Sequence, residues 1–69
     1  MEKKLNPIES RILTVLVKNG DYMSTAEVSK EAKISWNTAL LYLDKFEKMG
    51  WINKLGSGTT TYWIAVSES

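Results

Sequence analysis

Apolar residues early in the chain recur at the spacing of one helix face: Ile8, Ile12, Val15 and Leu16 form a stripe that Leu13 and Val17 widen. The stripe is bracketed by start and stop signals. Asn6 precedes Pro7, which suits a first helical position where no amide donor is needed, and Glu9 completes a capping box three residues after Asn6. Gly20 follows Lys18-Asn19 and ends the run, so a helix is predicted over residues 7–19. Ser24-Thr25-Ala26-Glu27 repeats the box and opens a shorter helix over about residues 25–32. Its inward residues, Ala26 or Thr25 with Val28 and Ala32, are small enough for another helix to approach closely. Ser35 is the N-cap of a third helix over about residues 36–49, stopped by Gly50, with Ala39, Tyr42, Leu43 and Phe46 on its core face. Only the segment around Lys33-Ile34 joins the second helix to the third, so the two must cross sharply.

Beyond Gly50 the period shortens. Two stretches rich in β-branched and aromatic residues, about 51–55 and 60–66, flank the turn Gly56-Ser57-Gly58-Thr59 and predict a β-hairpin. Alternation puts Ile52 on one face, sets Tyr62, Ile64 and Val66 against the helices, and turns Trp63 outward. Trp51 is expected in core or hinge packing. The chain therefore reads as one domain over residues 1–69, of class α+β but mainly α: three helices followed by a two-stranded hairpin.

Composition narrows the chemistry. A chain of 69 residues that is 43% hydrophobic and 25% charged supports a single core. Nine Lys+Arg against eight Asp+Glu leave a net charge of +1, so it is neither a polybasic tail nor an acidic solubiliser. Cysteine and histidine are both absent, which removes disulfides, Cys- or His-ligated metals and every Ser–His or Cys–His catalytic arrangement. The carboxylates sit at cap positions or at i,i+4 from a lysine, as Asp44 does from Lys48, and Gly56-Ser57-Gly58 joins two strands rather than a strand and a helix. No enzyme, cofactor, metal or small-molecule ligand is expected. No apolar run approaches the ~18–20 residues of a membrane span, and Met1 to Pro7 lacks signal-peptide character, so the expected location is cytoplasmic.

The segment from Thr38 through Ala39-Leu40-Leu41-Tyr42-Leu43-Asp44-Lys45-Phe46-Glu47-Lys48-Met49-Gly50-Trp51 to Ile52 resembles the recognition-helix-to-wing segment of MarR- and ArsR-type transcriptional regulators. Ser24-Thr25-Ala26-Glu27-Val28 and Ile34-Ser35 are similar to that family's second helix and turn. The likeness spans about residues 8–66 and implies a winged helix-turn-helix fold, of the compact kind found in archaeal, viral and plasmid genomes. Lys33 stands where the family often has glycine, and no additional helix flanks the core.

On this reading the third helix enters the major groove of double-stranded DNA. With Ala39, Leu43 and Phe46 inward, the opposite face carries Asn37, Leu41, Lys45 and Lys48, and Ser35, Trp36 and Thr38 lie at the leading end. Asn37 has the donor and acceptor needed for adenine, while the hydroxyls of Ser35 and Thr38 suit phosphate, although Ser35 equally serves as a cap. Trp36 packs on the second helix or meets a sugar or thymine methyl, and Leu41 marks either a methyl contact or a protein-facing surface. Lys33 at the turn and Lys54, Ser57, Thr59, Thr60 and Thr61 on the wing are candidate phosphate contacts. Residues 24–50 carry no net charge, with Lys30, Lys33, Lys45 and Lys48 opposed by Glu27, Glu31, Asp44 and Glu47. One copy should thus bind weakly, and a homodimer is expected, joined through the first helix or the segment with Leu5 and Leu13, with Trp63 added. The expected function is a sequence-specific transcriptional regulator that represses by occluding a promoter. Two readings compete: a winged-helix module that binds protein through Leu41, Trp36 and Trp63, and recognition of altered duplex shape. The latter rests on the ending Tyr62-Trp63-Ile64-Ala65-Val66-Ser67, which looks like that of Z-DNA-binding winged helices but lacks their wing prolines.

Overall fold

The structure, a computed structural model, describes residues 6–56 and 61–66. Its elements run α1 (Pro7–Asn19), β1 (Met23–Ser24), α2 (Thr25–Ala32), α3 (Trp36–Lys48), β2 (Ile52–Leu55) and β3 (Tyr62–Ala65). Both capping boxes close. The Glu9 amide donates to Asn6 Oδ1 at 2.7 Å and the Asn6 amide to Glu9 Oε1 at 3.0 Å. Ser24 and Glu27 repeat the exchange at 3.1 and 3.0 Å. Each box satisfies an opening amide that would otherwise lack an intrahelical partner.

Helices α2 and α3 end in the same way. After α2, the Lys33 amide donates to the Lys30 carbonyl and the Ile34 amide to that of Ser29; after α3, Gly50 donates to Glu47 and Trp51 to Phe46. This paired pattern is a Schellman motif, which requires a left-handed residue just past the helix. Gly50 fills that place at φ +82°, and Lys33 at φ +59°, the only non-glycine residue with positive φ among those described. The lysine at this turn therefore adopts a backbone conformation that favours glycine. Arg11 of α1 donates to the Ala32 carbonyl at 3.0 Å, covering another group at the same helix end.

The strands form a three-stranded antiparallel sheet in the order β1-β3-β2. Strand β1 was not anticipated: it is two residues long, and Ser24 doubles as the α2 cap. Its pairing changes the hairpin's faces. Met23 lies opposite Trp63, and Ile52 and Lys54 lie opposite Ala65 and Trp63, so these five side chains share one side of the sheet. Trp63 is 1% exposed and Tyr62 is exposed, the reverse of the expected alternation. The indole covers far more apolar area than the phenol, and its Nε1 donates to buried Thr25 Oγ1 at 2.8 Å. Met23, Thr25 and Trp63 thus lock β3 to the start of α2.

The core gathers Ile12 and Leu16 of α1, Val28 and Ala32 of α2, and Ala39, Leu43 and Phe46 of α3, closed by Met23, Ile52 and Trp63. Tyr42 and Leu40 are half-buried at its margins. Trp51 stacks on Phe46 with ring centroids 5.4 Å apart, and its carbonyl accepts from the Val66 amide. It is nonetheless 40% exposed, a hinge cover rather than a core residue. Among the described residues every buried side-chain nitrogen and oxygen has a partner. No described helix is long and apolar enough to cross a membrane.

Candidate nucleic-acid interface

Helix α3 is held by one face. Ala39, Leu43 and Phe46 are fully buried, and the side opposite them carries Asn37, Leu41 and Lys48, all exposed. Asn37 and Leu41 are one turn apart, so they form a continuous stripe. Trp36, at the leading end, is exposed as well, which places its ring outside the core.

The start of α3 is built from two hydroxyls. Ser35 Oγ accepts from the Thr38 amide at 3.1 Å and donates to Thr38 Oγ1 at 2.8 Å. Ser35 is therefore the N-cap, and its proton is directed to Thr38. No acidic residue occupies the first turn of α3, in contrast to Glu9 in α1 and Glu27 in α2. The positive end of this helix is left uncompensated by side-chain charge.

The cations of α3 are less free than the sequence pattern implies. Lys45 Nζ lies 2.9 Å from Glu9 Oε2 and 6.0 Å from the centre of the Tyr42 ring. Asn6 Nδ2 donates to the Tyr42 hydroxyl at 3.5 Å. Asn6, Glu9, Tyr42 and Lys45 thus join the start of α1 to one flank of α3. Sequence reasoning assigned Asn6 and Glu9 only to the cap; nothing local marks a second role for residues 36 positions from their partners. Lys48 pairs with Asp44 at 3.4 Å within α3, at the expected i,i+4 spacing.

Of the turn and wing candidates, Lys33 stands exposed between α2 and α3, and Lys54 is exposed on β2 with its Nζ 6.0 Å from the Trp63 ring centre. Thr61 is a correction. It is 5% exposed and its carbonyl accepts from the Thr25 amide at 3.3 Å, extending the β1–β3 pairing, so its side chain is not offered to a ligand. Ser57, Thr59 and Thr60 lie outside the described residues. Trp63 likewise leaves the set of surface contacts, because the sheet buries it.

Solved structures of similar shape agree on the fold. The chain superposes on a structure of HOP2, reported for its DNA recognition and protein interaction domains, with a TM-score of 0.73 and 21% identity, over 86% of this chain and 98% of that one. It matches a zinc-responsive MarR family member from Lactococcus lactis, ZitR, at 0.75 and 19% identity, covering 96% of this chain and 46% of that one. Human N-acetylserotonin methyltransferase contains the same shape as a minor part: TM-score 0.72, 12% identity, 87% of this chain and 19% of the enzyme. Curated protein sequences gave no match. The model of winged helix-turn-helix DNA-binding domains matches residues 5–53, from before α1 into the first wing strand. With most of its length inside that match, and three helices packed on a small antiparallel sheet, the chain belongs to the winged helix-turn-helix DNA-binding family.

Proposed function

We propose that this domain is a sequence-specific transcriptional regulator that binds double-stranded DNA with α3 in the major groove and represses by occupying a promoter. The observation that carries the reading is the uncovered side of α3: Asn37, Leu41 and Lys48 are exposed while the opposite side of the helix is fully buried. Asn37 would read a base edge; the Ser35–Thr38 pair and nearby amides would meet phosphate at the helix start. Trp36 would lie against a sugar, and Lys45 would stand beside the backbone on the α1 flank, held back from phosphate by its pair with Glu9. Lys33 and Lys54 would hold flanking phosphates, as would the wing hydroxyls of Ser57, Thr59 and Thr60. The matching family model, described as DNA-binding, supports this assignment. A cytoplasmic location is part of the same proposal.

The near-neutral charge sets the expected stoichiometry. At a net charge of +1, one copy engages few phosphates, so two copies on a symmetric site are the form in which such a domain binds well. The α1 side is the proposed contact: Val17 is 65% exposed beside half-buried Leu13, and Trp63 contributes nothing there.

Anisotropy titrations of a labelled random-sequence duplex against salt test the assignment. Affinity should fall steeply from 50 to 200 mM salt, with a log–log slope of roughly −0.9 for each phosphate engaged. A flat response would transfer the surface to the competing protein-binding module, which keeps Leu41 and Trp36 of its three expected anchors.

A further inference from the structure

The exposed centre of α3 is apolar, which is unusual for a surface that meets a polyanion. Leu41 is 71% exposed, more than any other large hydrophobic residue described. Asn37 lies one turn before it on the same stripe. The lysines that follow are drawn sideways, Lys45 to Glu9 at 2.9 Å and Lys48 to Asp44 at 3.4 Å. The middle of the helix presents the Asn37 carboxamide and the Leu41 isobutyl group, followed on the same face by the Asp44–Lys48 pair.

A major groove offers one apolar feature, the C5-methyl group of thymine, and one partner that satisfies a carboxamide twice, the N6–N7 edge of adenine. Residues four apart on a helix are separated by about 6 Å along its axis, close to two base-pair steps of roughly 3.4 Å. We propose that Leu41 is a specificity-determining residue that reads a thymine methyl about two steps from an adenine read by Asn37. This rests on the DNA-binding assignment above and adds the chemistry of its target: a 5-methylpyrimidine at a fixed offset from adenine.

Duplexes selected by the wild-type protein from a random pool provide the test. Each thymine of the selected site is replaced singly by deoxyuridine, which removes only the methyl group. Affinity should fall about fourfold at one position per bound copy, as expected for one lost methyl contact. Leu41→Ala should bind thymine and uracil there equally while keeping the adenine preference set by Asn37. The substitution lies on an exposed helix surface and introduces a strong helix former, so the fold is retained. The proposal is overturned if no replacement weakens the wild type, or if Leu41→Ala discriminates as the wild type does. It is also overturned if Leu41→Ala converts dimer to monomer in sedimentation with discrimination intact, which would give this face to a second copy. Salt-dependent binding without methyl discrimination removes the inference alone; failure to retain any duplex, with no salt response, removes the DNA-binding assignment as well.

Discussion

Glu9 performs two tasks that a single substitution can separate. One carboxylate oxygen accepts from the Asn6 amide in the capping box, and the other holds Lys45 of α3. Glutamine serves as well as glutamate at that box position but carries no charge. Glu9→Gln should therefore leave the melting temperature nearly unchanged, free Lys45 for phosphate, and make the salt slope of DNA binding steeper by about 0.9. An unchanged slope would show that Lys45 stays off the duplex even when released. The buried pair Trp63–Thr25 makes the opposite case, where neither partner can be spared. Thr25→Val strands the indole N–H inside the core and should destabilise the domain by about 1–3 kcal/mol in denaturant unfolding. Combined with Trp63→Phe, the loss should be smaller than the two single effects together, because the second change removes the group the first had stranded.

The turn between α2 and α3 holds a lysine in a conformation that disfavours side chains. A left-handed residue other than glycine costs roughly 1–2 kcal/mol, and Gly50 shows the same motif filled without that penalty. Lys33→Gly should accordingly stabilise the domain by about 1 kcal/mol, raising the melting temperature by roughly 4–8 °C. If Lys33 meets phosphate, the same variant should bind DNA less tightly, so stability and affinity would move in opposite directions. Elements were the most legible level in the sequence. Asn6-Pro7, Ser24 and Ser35 mark the three helix starts through side chains that act within three residues, and a local signal can be read locally. The sheet face was not legible. Period-2 alternation divides β3 into two sets but does not say which is inward; that is decided by Met23 and Thr25, nearly forty residues upstream. The uncovered face of α3 was legible where helical spacing governs it, at Asn37 and Leu41, whereas the surroundings of Lys45 and Thr61, set by tertiary partners, were not.

At the scale of the whole molecule, the domain is too close to neutral to rely on bulk attraction for DNA. Two copies are expected to bind as a unit, with half-sites separated by about 34–36 Å of duplex, one helical turn or a multiple of it. Inserting five base pairs between the half-sites should abolish cooperative binding, whereas inserting ten should restore much of it; equal tolerance of both would mean that copies bind independently. The three indoles also differ sharply in surroundings: Trp63 is sealed in the core, while Trp36, on the helix proposed to meet DNA, and Trp51, at the hinge, reach solvent. The protein thereby carries its own optical reporters. Iodide should quench the emission of the two outer rings and spare the third, duplex should protect Trp36, and only unfolding should shift the hidden component to the red.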